Sequence, residues 1–277
     1  MPTTEGSEIE DIEVHLLLEA IYRRYGFDFR DYAFTSMKRR VESILAAEGL
    51  GSISELQGKL LREPACMEHF LLSVTVNVTS MFRDPGFYVA FRARVLPWLR
   101  ECPFVRIWHV GCSTGEEVYS MAILLEEEGL YPRCRIYATD LNEHVLAKAK
   151  AGIFPLASLQ EYTGNYLKAG GRGCFSDYYT ANYGGVIFQR SLRDNVIFAQ
   201  HSLVTDGSFN EFHVVLCRNV MIYFNETLSE RVHRLLYESL ILHGILGLGD
   251  RESIKFTPYE ACFEEVDGDQ RLYRRAK

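Results

Sequence analysis

The sequence predicts an α/β protein: a Rossmann-like, doubly wound domain preceded by an all-α N-terminal domain and interrupted by a small antiparallel β subdomain. Three observations carry that prediction. From residue 8 to about 75 apolar residues recur at helical spacing, and no strand alternation is found before Val74. From Ile107 a short apolar run, a glycine turn and an apolar-striped segment follow one another, the strand, turn and helix of a ligand crevice. Between Gly152 and Val196 the chain becomes rich in aromatics (Phe175, Tyr178, Tyr179, Tyr183, Phe188), and Tyr183-Gly184-Gly185 reads as a hairpin turn between short strands. The expected boundaries are 1–76 for the helical domain, 77–91 for a linker that contributes to the ligand pocket, and 92–277 for the α/β domain, with 153–196 inserted.

In the first domain, Ile12, Leu16 and Ile21, with Leu17 and Leu18 beside them, give one apolar stripe. Val41, Ile44 and Leu45 give a second, stopped by Gly49. Ser52 or Ser54 caps a third helix through Leu61, and Pro64 opens a fourth through Leu72. Arg23, Arg24, Arg30, Lys38, Arg39 and Arg40 are concentrated here in a chain of formal charge −7. Each alone reads first as part of a solvated helix face. As a group they form a basic face able to steer an acidic protein partner, although Lys38 to Arg40, being consecutive, cannot all point one way.

The next stretch, VTVNVTSMFRDPGFY (Val74 to Tyr88), packs Asn77, Thr79, Ser80 and Arg83 into seven residues before the turn Asp84-Pro85-Gly86. It is either a simple connection or one wall of the pocket. The crevice follows: Ile107 to Val110 as a buried strand, Gly111 to Gly115 as a tight turn, and Glu116 to Glu128 as a helix with Val118, Met121, Ala122 and Leu125 at helical spacing. A pyrophosphate favours glycine amides at a bare helix start with a Lys or Arg. Here there is no Gly-Lys-Ser/Thr, and Glu116 and Glu117 open the helix, suiting its dipole but repelling phosphate. A nucleoside with a cationic end fits better, and S-adenosylmethionine, with its ammonium and sulfonium, is such a ligand. Asp140 ends a second strand-like run, Arg135 to Thr139. From there an acid either hydrogen-bonds ribose hydroxyls or caps the helix beginning near Asn142.

Two further core strands are expected at Asn195 to Ala199 and Glu211 to Cys217, which puts Arg218 and Asn219 at a strand's C-terminal edge. Asn225 or Thr227 caps a helix through about Leu242, with Leu228, Val232, Leu235 and Leu236 inward. Gly244 ends it, Ile245 to Leu248 continue the sheet, and Asp267-Gly268 turns a closing hairpin.

Composition narrows the function classes. With 47% hydrophobic and 24% charged residues the chain is ordinary for a globular protein, and no apolar run is long enough to span a bilayer. The polar, acidic start (MPTTEGSEIEDIE) is unlike a signal peptide, so a cytoplasmic location is expected. Seven cysteines without a Cys-x-x-Cys pair point to reduced thiols and to no metal site. The negative charge speaks against nucleic acid as a partner.

Four ordered motifs resemble the chemotaxis receptor methyltransferase (CheR) family over nearly the whole chain. NVTSMFRDP is similar to its N-x-T-x-F-F-R linker, GCSTGEEVYSMA to its A-x-S-T-G-E-E-P-Y-S-I-A loop, IYATDLNEHVLAKAKAGIF to its acidic ribose segment, and FHVVLCRNVMIYF to its D-x-I-F-C-R-N-V-x-I-Y-F. The resemblance implies a class I methyltransferase domain whose S-adenosylmethionine contacts map onto Asn77, Thr79, Arg83, Glu117, Asp140, Ser202, Leu203, Arg218 and Asn219. It also implies that the β subdomain grips a receptor tether peptide in some members. Departures are Ser202 where Asn is typical, Val118 for a common Pro, and Gly249-Asp250-Arg251-Glu252 where a G-H-S-E-like sequence is usual.

The implied reaction is methylation of receptor glutamates, giving methyl esters and S-adenosylhomocysteine. A glutamate side chain, with a pKa of about 4.3, is already an ionised nucleophile at neutral pH, so in-line placement and desolvation replace a base. Arg83 would orient the carboxylate and Tyr223 position it by a hydrogen bond; a half-buried aromatic on a strand-to-helix turn is the plainer reading of Tyr223. The implied partners are methyl-accepting receptors with acidic cytoplasmic helices, met through Lys38, Arg39 and Arg40 and the β subdomain, with the enzyme peripheral at receptor clusters and not inserted in the membrane. Two other classes stay open: the same fold acting on a small molecule or RNA, and a non-catalytic cofactor-binding adaptor.

Overall fold

A computed structural model describes residues 4–75, 79–182 and 184–277. The chain divides into two compact units, Met1–Val76 with Tyr223–Arg231, and Asn77–Ile222 with Val232–Lys277. Among the described residues no helix is long and apolar enough to cross a membrane.

The first unit is helical: α1 (Thr4–Tyr25), α2 (Phe34–Glu48), α3 (Ile53–Arg62) and α4 (Pro64–Val74). On α1 the buried stripe is Val14, Leu17, Leu18 and Ile21, at the i, i+3, i+4, i+7 spacing of one helix face. Ile12 and Leu16, expected in that stripe, lie on the neighbouring face and are 59% and 56% exposed. Gly49 closes α2 in the left-handed conformation (φ 65°), Ser52 caps α3 by accepting the Glu55 N–H at 3.2 Å, and Pro64 opens α4. A distant segment completes the unit: the Tyr223 carbonyl accepts the Ala33 N–H (2.9 Å), and Asn225 donates its N–H to the Asp31 carbonyl (3.0 Å).

The basic cluster is largely compensated within this unit. Lys38 pairs with Asp11 (2.7 Å) and Glu10 (3.1 Å), Arg30 with Asp28 (2.8 Å) and Glu19 (2.9 Å), and Arg23 with Glu19 (2.7 Å). Arg40 is half-buried, donates to the Val74 carbonyl, and stacks its guanidinium 4.8 Å from the Tyr223 ring centroid. Arg24 and Arg39 stay exposed. The expected Lys38–Arg40 patch is thus one exposed charge flanked by two engaged ones.

The second unit opens with α5 (Pro85–Ala90), which passes through a π-helical turn into α6 (Leu96–Glu101). Pro97, lacking an N–H, accounts for the widened turn. Then come β1 (Val105–Val110), α7 (Glu116–Glu127), β2 (Cys134–Asp140), α8 (Glu143–Ala151), β3 (Ile153–Phe154), α9 (Leu159–Lys168), β4 (Tyr179–Asn182), β5 (Gly185–Phe188), β6 (Val196–Gln200), β7 (Phe212–Cys217), α10 (Glu226–Ser239), β8 (Leu240–Leu248), β9 (Phe263–Asp267) and β10 (Leu272–Arg275).

Seven strands form one sheet in the order β6-β2-β1-β7-β8-β10-β9. The first five run parallel, with Ile107 level with Ile136 on one side and Val214 on the other, and β10 returns antiparallel to β8. From β1 the chain winds outward through β2 to β6, then crosses back to β7 on the other side of β1. The switch point therefore falls at the C-terminal ends of β1 and β7, where doubly wound sheets bind ligands. α7 is buried nearly all round, with Val118 to Leu125 at most 1% exposed, more than the single stripe its sequence suggested.

Three expectations are corrected here. The inserted stretch holds the antiparallel sheet β3-β5-β4, closed by Asn182 paired with Gly185, but also the helix α9; Tyr183 of the expected turn lies outside the described residues. α10 stops at Ser239 and β8 already begins at Leu240. Gly244 therefore lies within a strand, where a Cβ would stand 2.8 Å from the Ile241 carbonyl and 3.2 Å from that of Phe212. It permits close strand approach rather than ending a helix. The closing hairpin of β9 and β10 forms as expected.

Candidate functional site

The glycine turn after β1 is held at both ends. Gly111 and Gly115 have φ of 63° and 95°, and a Cβ at Gly111 would lie 2.7 Å from Val220 Cγ2, so neither position tolerates a side chain. Between them Ser113 also adopts a left-handed φ of 50°. The Cys112 N–H donates to the Thr139 carbonyl and the Ser113 N–H to Asp140 Oδ2, each at 2.9 Å, which ties the turn to the end of β2. Asp140 Oδ1 accepts the Asn142 N–H at 3.0 Å, while the cap of α8 is Asn142 itself, accepting from the His144 N–H at 2.9 Å. Burial holds the Asp140 carboxyl above its usual range despite these bonds.

Glu116 and Glu117, adjacent in sequence, diverge by the helical 100°. Glu116 is buried and accepts from Thr114 Oγ1 (2.6 Å) and the Tyr162 hydroxyl (3.3 Å); burial raises its pKa. It braces α9 and does not wall the crevice, contrary to expectation. Glu117 Oε2 accepts from Arg218 at 2.8 Å and its Oε1 lies 2.9 Å from His109 Nδ1. Burial would raise its pKa, but His109 and Arg218 outweigh that and hold it below the usual carboxylate value.

Arg218 is buried at the end of β7. Besides Glu117 it donates to Asp84 Oδ2 (2.8 Å) and the Arg83 carbonyl (3.3 Å), with its guanidinium 4.2 Å from the Phe87 ring centroid. It thus fastens the start of α7 to the segment that carries Arg83. That segment is no loose linker: the Phe82 N–H donates to Ser120 Oγ (2.8 Å), Ser80 to Glu161 (2.6 Å), and Asn165 to the Met81 carbonyl (3.1 Å). Phe82 and Asp84 have φ of 51° and 55°, so half-buried Arg83 stands between two residues in a left-handed backbone. Thr79 is half-buried at its start; Asn77 lies outside the described residues.

Asn219 follows Arg218 at φ 62°. The loop is held by a residue that sequence reasoning had not singled out. Glu252, 4% exposed, accepts the N–H groups of Asn219, Val220, Met221 and Gly249 at 2.7–2.8 Å. Ser202 and Leu203 are half-buried after β6. The Ser202 hydroxyl accepts from the N–H groups of Val204 and Thr205 (3.3 Å each), so it closes its own turn. Tyr223, expected beside the cofactor residues, has its contacts with Ala33 and Arg40 in the helical unit.

Residues 77–270 match the family described as CheR methyltransferase, SAM binding domain, and residues 12–75 the CheR methyltransferase, all-alpha domain. The chain belongs to the CheR methyltransferase family. It is similar to the Pseudomonas putida protein designated Cher3, 50% identical over 96% of this chain and 97% of that one. It is also similar to the chemotaxis protein methyltransferases of Listeria monocytogenes (30% identical, over 89% and 92%) and Escherichia coli (28%, over 90% and 87%). It is therefore an S-adenosylmethionine-dependent methyltransferase of the chemotaxis class. The crevice suits that cofactor: the Ser113 hydroxyl is buried without a hydrogen-bond partner among the described residues, and two carboxylates, Asp140 and Glu117, stand at the sheet's C-terminal edge.

Proposed function

We propose that the protein methylates glutamate side chains of methyl-accepting chemotaxis receptors, acting in the cytoplasm at receptor clusters. The observation that carries this reading is the setting of Arg83, a cationic residue whose backbone belongs to a pinned, strained segment that Arg218 fastens to Glu117. A guanidinium carried on that backbone orients an anionic acceptor, which needs no base because a glutamate is ionised at neutral pH.

In this reading Asp140 takes the ribose hydroxyls and Glu117 the cofactor's ammonium, while Ser113 and Leu203 line the crevice. Arg218 and Asn219 act through the loops they hold, and Thr79 lies half-buried on the segment that carries Arg83. The bound cofactor supplies an electrophilic methyl on a sulfonium. The chain positions the carboxylate in line with it and excludes water. Each ester removes one negative charge from a receptor helix, easing repulsion in its bundle and shifting its signalling equilibrium.

Asp140→Ala removes both the ribose acceptor and the partner of the Ser113 N–H. Calorimetry with S-adenosylhomocysteine is expected to show affinity lowered by about 100-fold, as for loss of charged hydrogen bonds. Tyr223→Phe keeps the ring against Arg40 but removes the hydroxyl assigned to the acceptor. Turnover should fall about tenfold or more with cofactor affinity unchanged; unchanged turnover would remove Tyr223 from the mechanism. The function itself is tested with tritiated S-adenosylmethionine and receptor-containing membranes, where base-labile filter-bound label is expected. No label in any receptor preparation, despite tight cofactor binding, favours a non-catalytic adaptor.

A further inference from the structure

We propose that His109 is a positioning residue for cofactor binding, fixing the Glu117 carboxylate from the floor of the crevice. The inference rests on the reading that Glu117 takes the cofactor's ammonium. His109 is fully buried in β1, level with Ala138 of β2 and Leu216 of β7 in the middle of the parallel sheet. A polar ring there is costly unless it is hydrogen-bonded, and an apolar residue fills such a site more cheaply. Its Nδ1 lies 2.9 Å from Glu117 Oε1, and Arg218 holds the other carboxylate oxygen at 2.8 Å. Glu117 is thereby fixed at both oxygens, leaving the remaining lone pairs to a ligand.

The pairing also assigns the tautomer. His109 Nε2 has no hydrogen-bond partner among the described residues. A ring with its proton on Nδ1 donates to the carboxylate and leaves Nε2 a bare acceptor. The opposite tautomer would set two lone-pair atoms against each other and bury an N–H without an acceptor. A histidine that only filled space would show no such preference.

The test uses the full chain and calorimetry with S-adenosylhomocysteine. His109→Ala is expected to weaken binding by about tenfold, the scale of one hydrogen bond to a charged group. His109→Asn, whose amide donates from near the Nδ1 position, recovers most of the loss; His109→Leu, of similar bulk, does not. In a Glu117→Gln background His109→Ala adds little further loss, because the two act as one unit. Wild-type affinity in His109→Leu, or an equal tenfold loss in the Glu117→Gln background, overturns the proposal. If Glu117→Gln alone binds normally, the assignment of Glu117 fails and this inference with it; if it binds weakly while His109→Ala binds normally, only the role of His109 fails. Nitrogen-15 NMR of the wild-type histidines needs no variant: a His109 protonated at Nδ1 alone is expected, and a proton on Nε2 contradicts the assignment.

Discussion

Replacing Arg83 by alanine is expected to lower methyl transfer at saturating cofactor by about 10²- to 10³-fold, the range seen when one preorganised donor is removed from a catalytic site. The effect should fall on turnover, because the Phe82–Asp84 backbone is held by Ser120 and Arg218 through bonds that do not involve the Arg83 side chain. S-adenosylhomocysteine binding is therefore expected to change far less than turnover. Lysine at this position restores the charge but not the planar fork, and should recover only part of the rate. Single-turnover measurements separate the chemical step from acceptor binding; an Arg83→Ala enzyme with normal single-turnover rate would move this residue out of the mechanism.

Glu252→Ala has the largest expected effect on stability. Its carboxylate satisfies four backbone N–H groups, three of them consecutive in the loop after Arg218. Each unsatisfied buried donor costs about 1–3 kcal/mol, but water entering the vacated space offsets part of this, so a net loss of about 3–5 kcal/mol is expected in urea unfolding. Glu252→Gln keeps one acceptor oxygen and turns an amide NH₂ toward the other donors, so it should lose less. Both variants should weaken cofactor binding by releasing Asn219 from its left-handed conformation. A Glu252→Ala chain as stable as wild type would show that the four bonds are replaced by solvent without cost.

The fold was legible because its signals are local. The glycine turn, the buried strands and the acid at the end of β2 each announce themselves within a few residues, and their order specifies a doubly wound sheet. What escaped depends on partners far along the chain or on rotation about a helix. The family resemblance singles out both Glu117 and Arg218, but their pairing across 101 residues, and the turning of Glu116 to Tyr162, were not legible. Glu252 partners only backbone N–H groups, which every sequence possesses, so its motif registered as a departure in Gly249-Asp250-Arg251-Glu252. The structure shows that Asp250 and Arg251 are exposed while Gly249 and Glu252 are buried, so the variation falls where it alters no contact to the loop. Lys38 and Arg40 read as free charges because Asp11, Glu10 and Tyr223 reach them only through tertiary packing. The end of α10 was misplaced because Leu240 to Leu242 continue an apolar pattern that suits helix and strand alike.

The most direct measurement is site-resolved mass spectrometry of a methyl-accepting receptor after incubation with the purified wild-type chain and S-adenosylmethionine. A gain of one methyl group on a glutamate side chain, removed by mild base and absent with Arg83→Ala, is the predicted result. A base-stable methyl on nitrogen, or an unmodified receptor alongside a chain that binds S-adenosylhomocysteine tightly, would contradict the account.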